Sequence, residues 1–137
     1  MKIRFDFVTN SSSTSFVLIC KGSPDKEVFL AAMGAMKRSP LRPLFEGLFE
    51  VFERKMRNAK EAIGGTNGAS AKSIAEIVDG RLSRQAAERA AKALAAGQDV
   101  WVGLLDSDEG GIEEFFCCES FEVNHPRLHV NGNQCAW

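Results

Sequence analysis

The sequence predicts an α+β fold: an N-terminal β-hairpin, a central block of about four helices, and C-terminal strands completing a mostly antiparallel sheet. Three observations predict it. Ile3, Phe5 and Phe7 alternate with Arg4 and Asp6 ahead of an apolar run at 16–20, the period of strands. Residues 24–96 then place apolar side chains at helical spacing. Residues 100–105, 121–124, 128–130 and 133–135 return to short stretches with strand character. Strands and helices in separate blocks point to α+β rather than alternating α/β.

Each element has its own local reason. Residues 3–7 read as a half-buried strand and residues 16–20 as a fully buried one. The polar stretch 9–15 between them is turn-prone. Ser23-Pro24 offers an N-cap and a first-turn proline for a helix over 24–38. That helix would bury Val28, Phe29, Ala32, Met33 and Met36. Ser39-Pro40 restarts the chain, and Leu41, Leu44, Phe45, Leu48, Phe49, Phe52 and Met56 form the clearest helical stripe. Gly47 inside it would let another element approach closely. Gly64, Gly65 and Gly68 mark a loop. A third helix starts near Ala71, with Ser73 and Glu76 as a capping box. A fourth spans 84–96, between Ser83 and Gly97. Residues 100–105 read as a strand, 112–118 as a short helix and 121–124 as another strand. Asn131-Gly132 is the best turn signal and would fold 128–130 onto 133–135 as a hairpin.

The chain has 137 residues, the size of one domain spanning 1–137. With 45% hydrophobic and 26% charged residues, it can build a core and is not a disordered polyampholyte. Ten Phe, two Trp and no Tyr give bulk without hydroxyls to satisfy. The net charge of −1 excludes polyanion binding by overall charge. The charge is nevertheless uneven. Residues 99–137 carry eight carboxylates and one cation, Arg127, for −7, against 16 cations and 10 carboxylates, +6, in residues 1–98. No export signal or long apolar span is visible. Cys20, Cys117, Cys118 and Cys135 therefore read as reduced thiols in a cytoplasmic protein.

The opening Met1-Lys2-Ile3-Arg4-Phe5-Asp6-Phe7-Val8-Thr9-Asn10-Ser11-Ser12-Ser13-Thr14-Ser15-Phe16 resembles the beginning shared by a group of uncharacterised bacterial and archaeal proteins. Thr14 replaces the Ser usual in that group. The resemblance implies a prokaryotic group and carries no activity or site residue with it. Physically, Asn10, Ser11, Ser12, Ser13, Thr14 and Ser15 are a candidate anion-binding run through backbone N–H groups. The plainer reading is a turn satisfying its own backbone. No Gly-Lys-Ser/Thr follows, so a P-loop is not indicated.

Four further groups carry candidate chemistry. Asp106, Asp108, Glu109 and Glu113, with Glu114 beside them, form the densest carboxylate cluster and are candidate ligands for a divalent cation. The calcium-loop spacing fails, because position twelve from Asp106 is Cys117. Cys117, Cys118, His125, His129 and Cys135 lack the paired spacing of structural zinc. Residues 71–96 can be read as a helix-turn-helix, with Arg84, Arg89 and Lys92 near phosphates. Glu76, Asp79 and Glu88 dilute that charge, and nucleic acid is disfavoured as a partner. Leu41, Phe45, Phe49 and Phe52 are a candidate homodimer interface. Together these point to a noncatalytic binding or self-assembling module, with no cofactor, no membrane partner and no ligand class specified. The alternatives are a metal-dependent hydrolase using residues 106–114, or a DNA-binding regulator using residues 71–96.

Overall fold

The computed structural model describes residues 13–64, 70–106, 111–116 and 120–135. In chain order these form β1 (Ser13–Cys20), α1 (Lys26–Ala32), α2 (Arg42–Lys55), β2 (Arg57–Asn58), α3 (Ala59–Ile63), α4 (Ala71–Ile77), α5 (Arg84–Ala95), β3 (Asp99–Asp106), α6 (Gly111–Phe116), β4 (Phe121–His125) and β5 (Leu128–Cys135). The strands make one five-stranded sheet in the order β2-β3-β1-β5-β4. Every ladder in it is antiparallel.

Strand alternation divides the interior in two. Phe16, Leu18 and Cys20 of β1 join Leu105, Leu128 and Val130 beneath Phe29 and Leu30 of α1 and Leu48, Phe49 and Phe52 of α2. Val17 and Ile19 join Val100 and Val102 on the other face, under Ala59, Ile74 and the alanine face of α5. A helical layer therefore covers each side of the sheet. That explains why β1 is apolar at consecutive positions rather than at alternate ones.

Phe16 shows how the central strand accommodates its largest side chain. It pairs across with Gly103 on one side and Gly132 on the other. A Cβ at Gly103 would stand 2.5 Å from the Phe16 ring. Gly103 thus clears space for the Phe16 ring. The ring stacks on Phe52 with centroids 4.2 Å apart, and Phe52 meets Phe29 edge-on at 5.6 Å. Gly47 has the close-packing role expected of it, lying directly under Ile112 of α6.

Several expectations are corrected. The N-terminal hairpin has no free edge to use, because β3 pairs with all of β1 and β5 pairs with residues 13–19; residues 3–7 themselves lie outside the described residues. Asn131-Gly132 is not a turn. It lies within β5, where Gly132 pairs with Phe121 and a Cβ there would meet the Phe121 ring at 2.5 Å. The hairpin closes instead at Pro126-Arg127, between His125 and Leu128. Pro126 presets the backbone angle, and Arg127 N–H donates to His125 Nδ1 at 3.1 Å.

The helix expected over 24–38 is half as long. Asp25, not Ser23, caps it, accepting from Glu27 N at 2.8 Å and Val28 N at 3.2 Å. Gly34, at φ +76°, ends it, with Ala35 N donating back to Leu30 O at 2.8 Å. The stop leaves Met36 62% exposed. The capping box of α4 joins Ser70 to Ser73, not Ser73 to Glu76. Ser83 caps α5 as expected, accepting from Ala86 N at 3.2 Å. Of the loop expected at 64–68, Gly64 ends α3 at φ +82°; its residues 65–68 and the cysteines at 117 and 118 lie outside the described residues. No helix among the described residues is long and apolar enough to cross a membrane.

Candidate functional site

The residues singled out from sequence do not converge. Asn10, Ser11 and Ser12 lie outside the described residues. Ser13, Thr14 and Ser15 are not a loop but the buried start of the central strand. Their backbone groups serve the ladders to β3 and β5, which removes them from an exposed anion-binding turn. Ser13 Oγ accepts from Arg81 Nη1 at 3.2 Å. Thr14 Oγ1 is buried without a hydrogen-bond partner among the described residues.

Asp108 and Glu109 also lie outside the described residues. Glu113 is 2% exposed. Its carboxylate meets Lys55 Nζ at 2.6 Å and Arg54 Nη2 at 3.5 Å, and accepts from Asp106 N at 2.9 Å. Glu113 therefore clamps α6 to α2 and to the end of β3, and is spoken for as a ligand. Among the described residues no three metal-binding side chains gather. His129 and Cys135 are six residues apart along β5, roughly 20 Å at strand rise, so they cannot share a zinc ion. Phe49 and Phe52 are core residues and cannot face a second copy. Leu41, 53% exposed, is available to a partner, and Phe45 is half-buried.

A different site emerges where β1 ends, β3 begins and β4 turns into β5. Two adjoining depressions, of about 470 and 330 Å³, share Gln98, Pro126, Arg127 and Leu128. The first reaches Cys20, Lys21, Ser23 and Asp25. The second reaches Arg89 and Lys92 of α5, and His125 and His129. These residues come from three separate stretches of chain, brought together by sheet order.

The fold fixes the walls. Gly22, at φ +74°, turns the chain out of β1. Its N–H donates to Asp99 Oδ2 at 2.7 Å, and its carbonyl accepts from Trp101 Nε1 at 3.3 Å. That positions Lys21 at the rim. Opposite, Asn124 Oδ1 accepts from Arg89 Nη2 at 3.0 Å and from His129 Nδ1 at 2.8 Å. Glu122 stands 3.6 Å from Arg89 and 4.0 Å from His129. The alanine face of α5 is what brings Arg89 this close: Ala86, Ala90 and Ala93 let the helix backbone settle on the sheet.

The titration of two groups follows from this setting. Burial, with the Arg89 charge adding to it, holds His129 below the usual histidine range; Glu122 and a hydrogen bond with the Val123 backbone oppose the shift. His129 is thus neutral at pH 7, with its proton on Nδ1 toward Asn124. Burial first, then the Asp99 charge, raises the Cys20 thiol to about 11. Cys20 is a protonated, inert thiol whose Sγ contacts Gly22 O at 3.4 Å.

The sequence places Arg89 and Lys92 near phosphates, but on a DNA-binding helix. The structure turns them toward the sheet, while Arg84 pairs with Glu88 along α5. Lys21, Gln98 and Arg127 carried no signal in sequence. Comparison with protein-family models, curated proteins and solved structures gives no match.

Proposed function

We propose that the protein is a noncatalytic, cytoplasmic binding module that holds a small polar ligand in the cleft between Lys21, α5 and the β4–β5 turn. The observation that carries this reading is a concave site whose polar walls are held in place before any ligand arrives, through Asn124, Arg89 and His129 on one side and Gly22 and Asp99 on the other. Such preorganisation lowers the ordering cost of binding. Binding rather than turnover fits the groups present: the Cys20 thiol stays protonated, and the His129 ring is committed to Asn124.

Gln98 is exposed and lines both depressions, so Gln98→Trp should fill the cleft without touching the core. In a thermal-shift screen of polar metabolites, at least one compound is expected to raise the Tm of the wild type and not that of Gln98→Trp. A screen without a hit, or hits that persist in Gln98→Trp, would remove the reading.

Self-association is a second reading, favoured by one observation. Met36 and Leu41 are exposed at 62% and 53% beside an apolar depression lined by Leu30 and Ala35. Light scattering that yields only the monomer mass across concentrations would exclude it.

A further inference from the structure

The cleft's charge points to a ligand class. Four permanent cations line it, Lys21, Arg89, Lys92 and Arg127, against one lining carboxylate, Asp25. Asp99 and Glu122 border it and are already engaged, Asp99 by the Gly22 N–H and Glu122 by Arg89. Asp25 already caps α1 through its Oδ1. Arg89 is held by Asn124 and Glu122. Lys21, Lys92 and Arg127 form no ion pair among the described residues. This excess is not compositional, since the chain as a whole carries −1.

Other groups add donors. His125 Nδ1 accepts from Arg127 N, which leaves Nε2 as the ring's donor. Gln98 supplies an amide. Ala96 brings the carbonyl end of α5 to the same wall, which disfavours an anion; the side-chain cations must therefore outweigh it. A site rich in donors and cations selects a ligand rich in acceptor oxygens. Arg127, which lines both depressions, and Lys92 beside it in the second match a doubly charged phosphate group better than a single carboxylate. Leu128, Pro126 and Val28 offer carbon surface beside them. The concave shape suits a small molecule rather than a polynucleotide.

Resting on the binding-module reading above, we infer that the cleft binds a small phosphate monoester, its phosphate held by Lys92 and Arg127 in the second depression, with Lys21 in the adjoining one. Calorimetry on the full chain tests this with glycerol phosphate, inorganic phosphate, glycerol and a single-stranded oligonucleotide. The ester is expected to bind more tightly than inorganic phosphate, glycerol not at all, and affinity to fall as salt rises. Lys92→Met and Arg127→Met, both at exposed positions, should each weaken the ester about tenfold. Lys72→Met, on α4 and away from the cleft, should leave it unchanged. Absence of heat with both phosphates, unchanged affinity in the two cleft variants, or tighter binding of the oligonucleotide would each overturn the inference. A neutral compound that stabilises the wild type but not Gln98→Trp would overturn the phosphate assignment alone. Responses that all survive in Gln98→Trp would remove the cleft as well.

Discussion

His129 shows how a single side chain reports the packing around it. It is 7% exposed, lies under Arg89 of α5 and faces Glu122 of β4. Its folded pKa is lowered by burial and by Arg89, so the unfolded chain takes up a proton that the folded ring resists. Stability from this residue is therefore full above the unfolded value near 6.5. It declines as pH falls from there through the lowered folded value. Urea midpoints measured at pH 7.5 and pH 5.5 should drop more in the wild type than in His129→Gln. Equal drops would show that the ring does not resist protonation. Nothing in the sequence announced this residue's setting. A histidine between Leu128 and Val130 is equally consistent with an exposed face, and only the placement of α5 above it decides.

At the scale of elements, Glu113 joins three of them. Its buried carboxylate ties α6 to Lys55 of α2 and to the Asp106 N–H of β3. Removing it strands a partly buried ammonium and a backbone donor. Glu113→Ala should therefore cost about 2 kcal/mol in chemical denaturation, less than a fully buried pair because Arg54 and part of Lys55 reach solvent. A change below about 0.5 kcal/mol, the usual surface value, would show that the clamp is not formed.

The helices were largely legible because local signals fix them: Ser83 before α5, Pro43 in the first turn of α2, the apolar spacing through Phe52. The strands were less so. Ser13-Thr14-Ser15 reads as a turn, yet two neighbouring strands impose extended backbone on it. Gly132 reads as a turn residue, yet it is needed where the Phe121 ring lies across the strand. In both cases a distant partner overrides local preference. The apolar spacing of α2 does mark its buried side, through Leu48, Phe49 and Phe52. Its Phe49 and Phe52 pack on Phe16 and Phe29 of the same chain, while Leu41 stays exposed.

For the whole molecule, the sheet covered by helices on both faces leaves its edges and strand ends to make a site. The cleft forms at the end where β1 leaves the sheet and the β4–β5 turn projects. There the fold gathers cations that in sequence stand as far apart as Lys21 and Arg127. That separation is why the site was not legible from spacing, whereas the mixture of helix and antiparallel strand was. The acidic bias of residues 99–137 even argues against a cationic site there; of its cations the cleft takes only Arg127 from that region, and Lys21, Arg89 and Lys92 come from the end of β1 and from α5.

Titration of glycerol phosphate into isotopically labelled full-length protein, followed by backbone amide resonances, tests this account most directly. Saturable shifts confined to residues 21–25, 89–98 and 125–129 are the predicted result. Shifts centred on residues 13–15 or 36–41, or spectra that do not move, would contradict it.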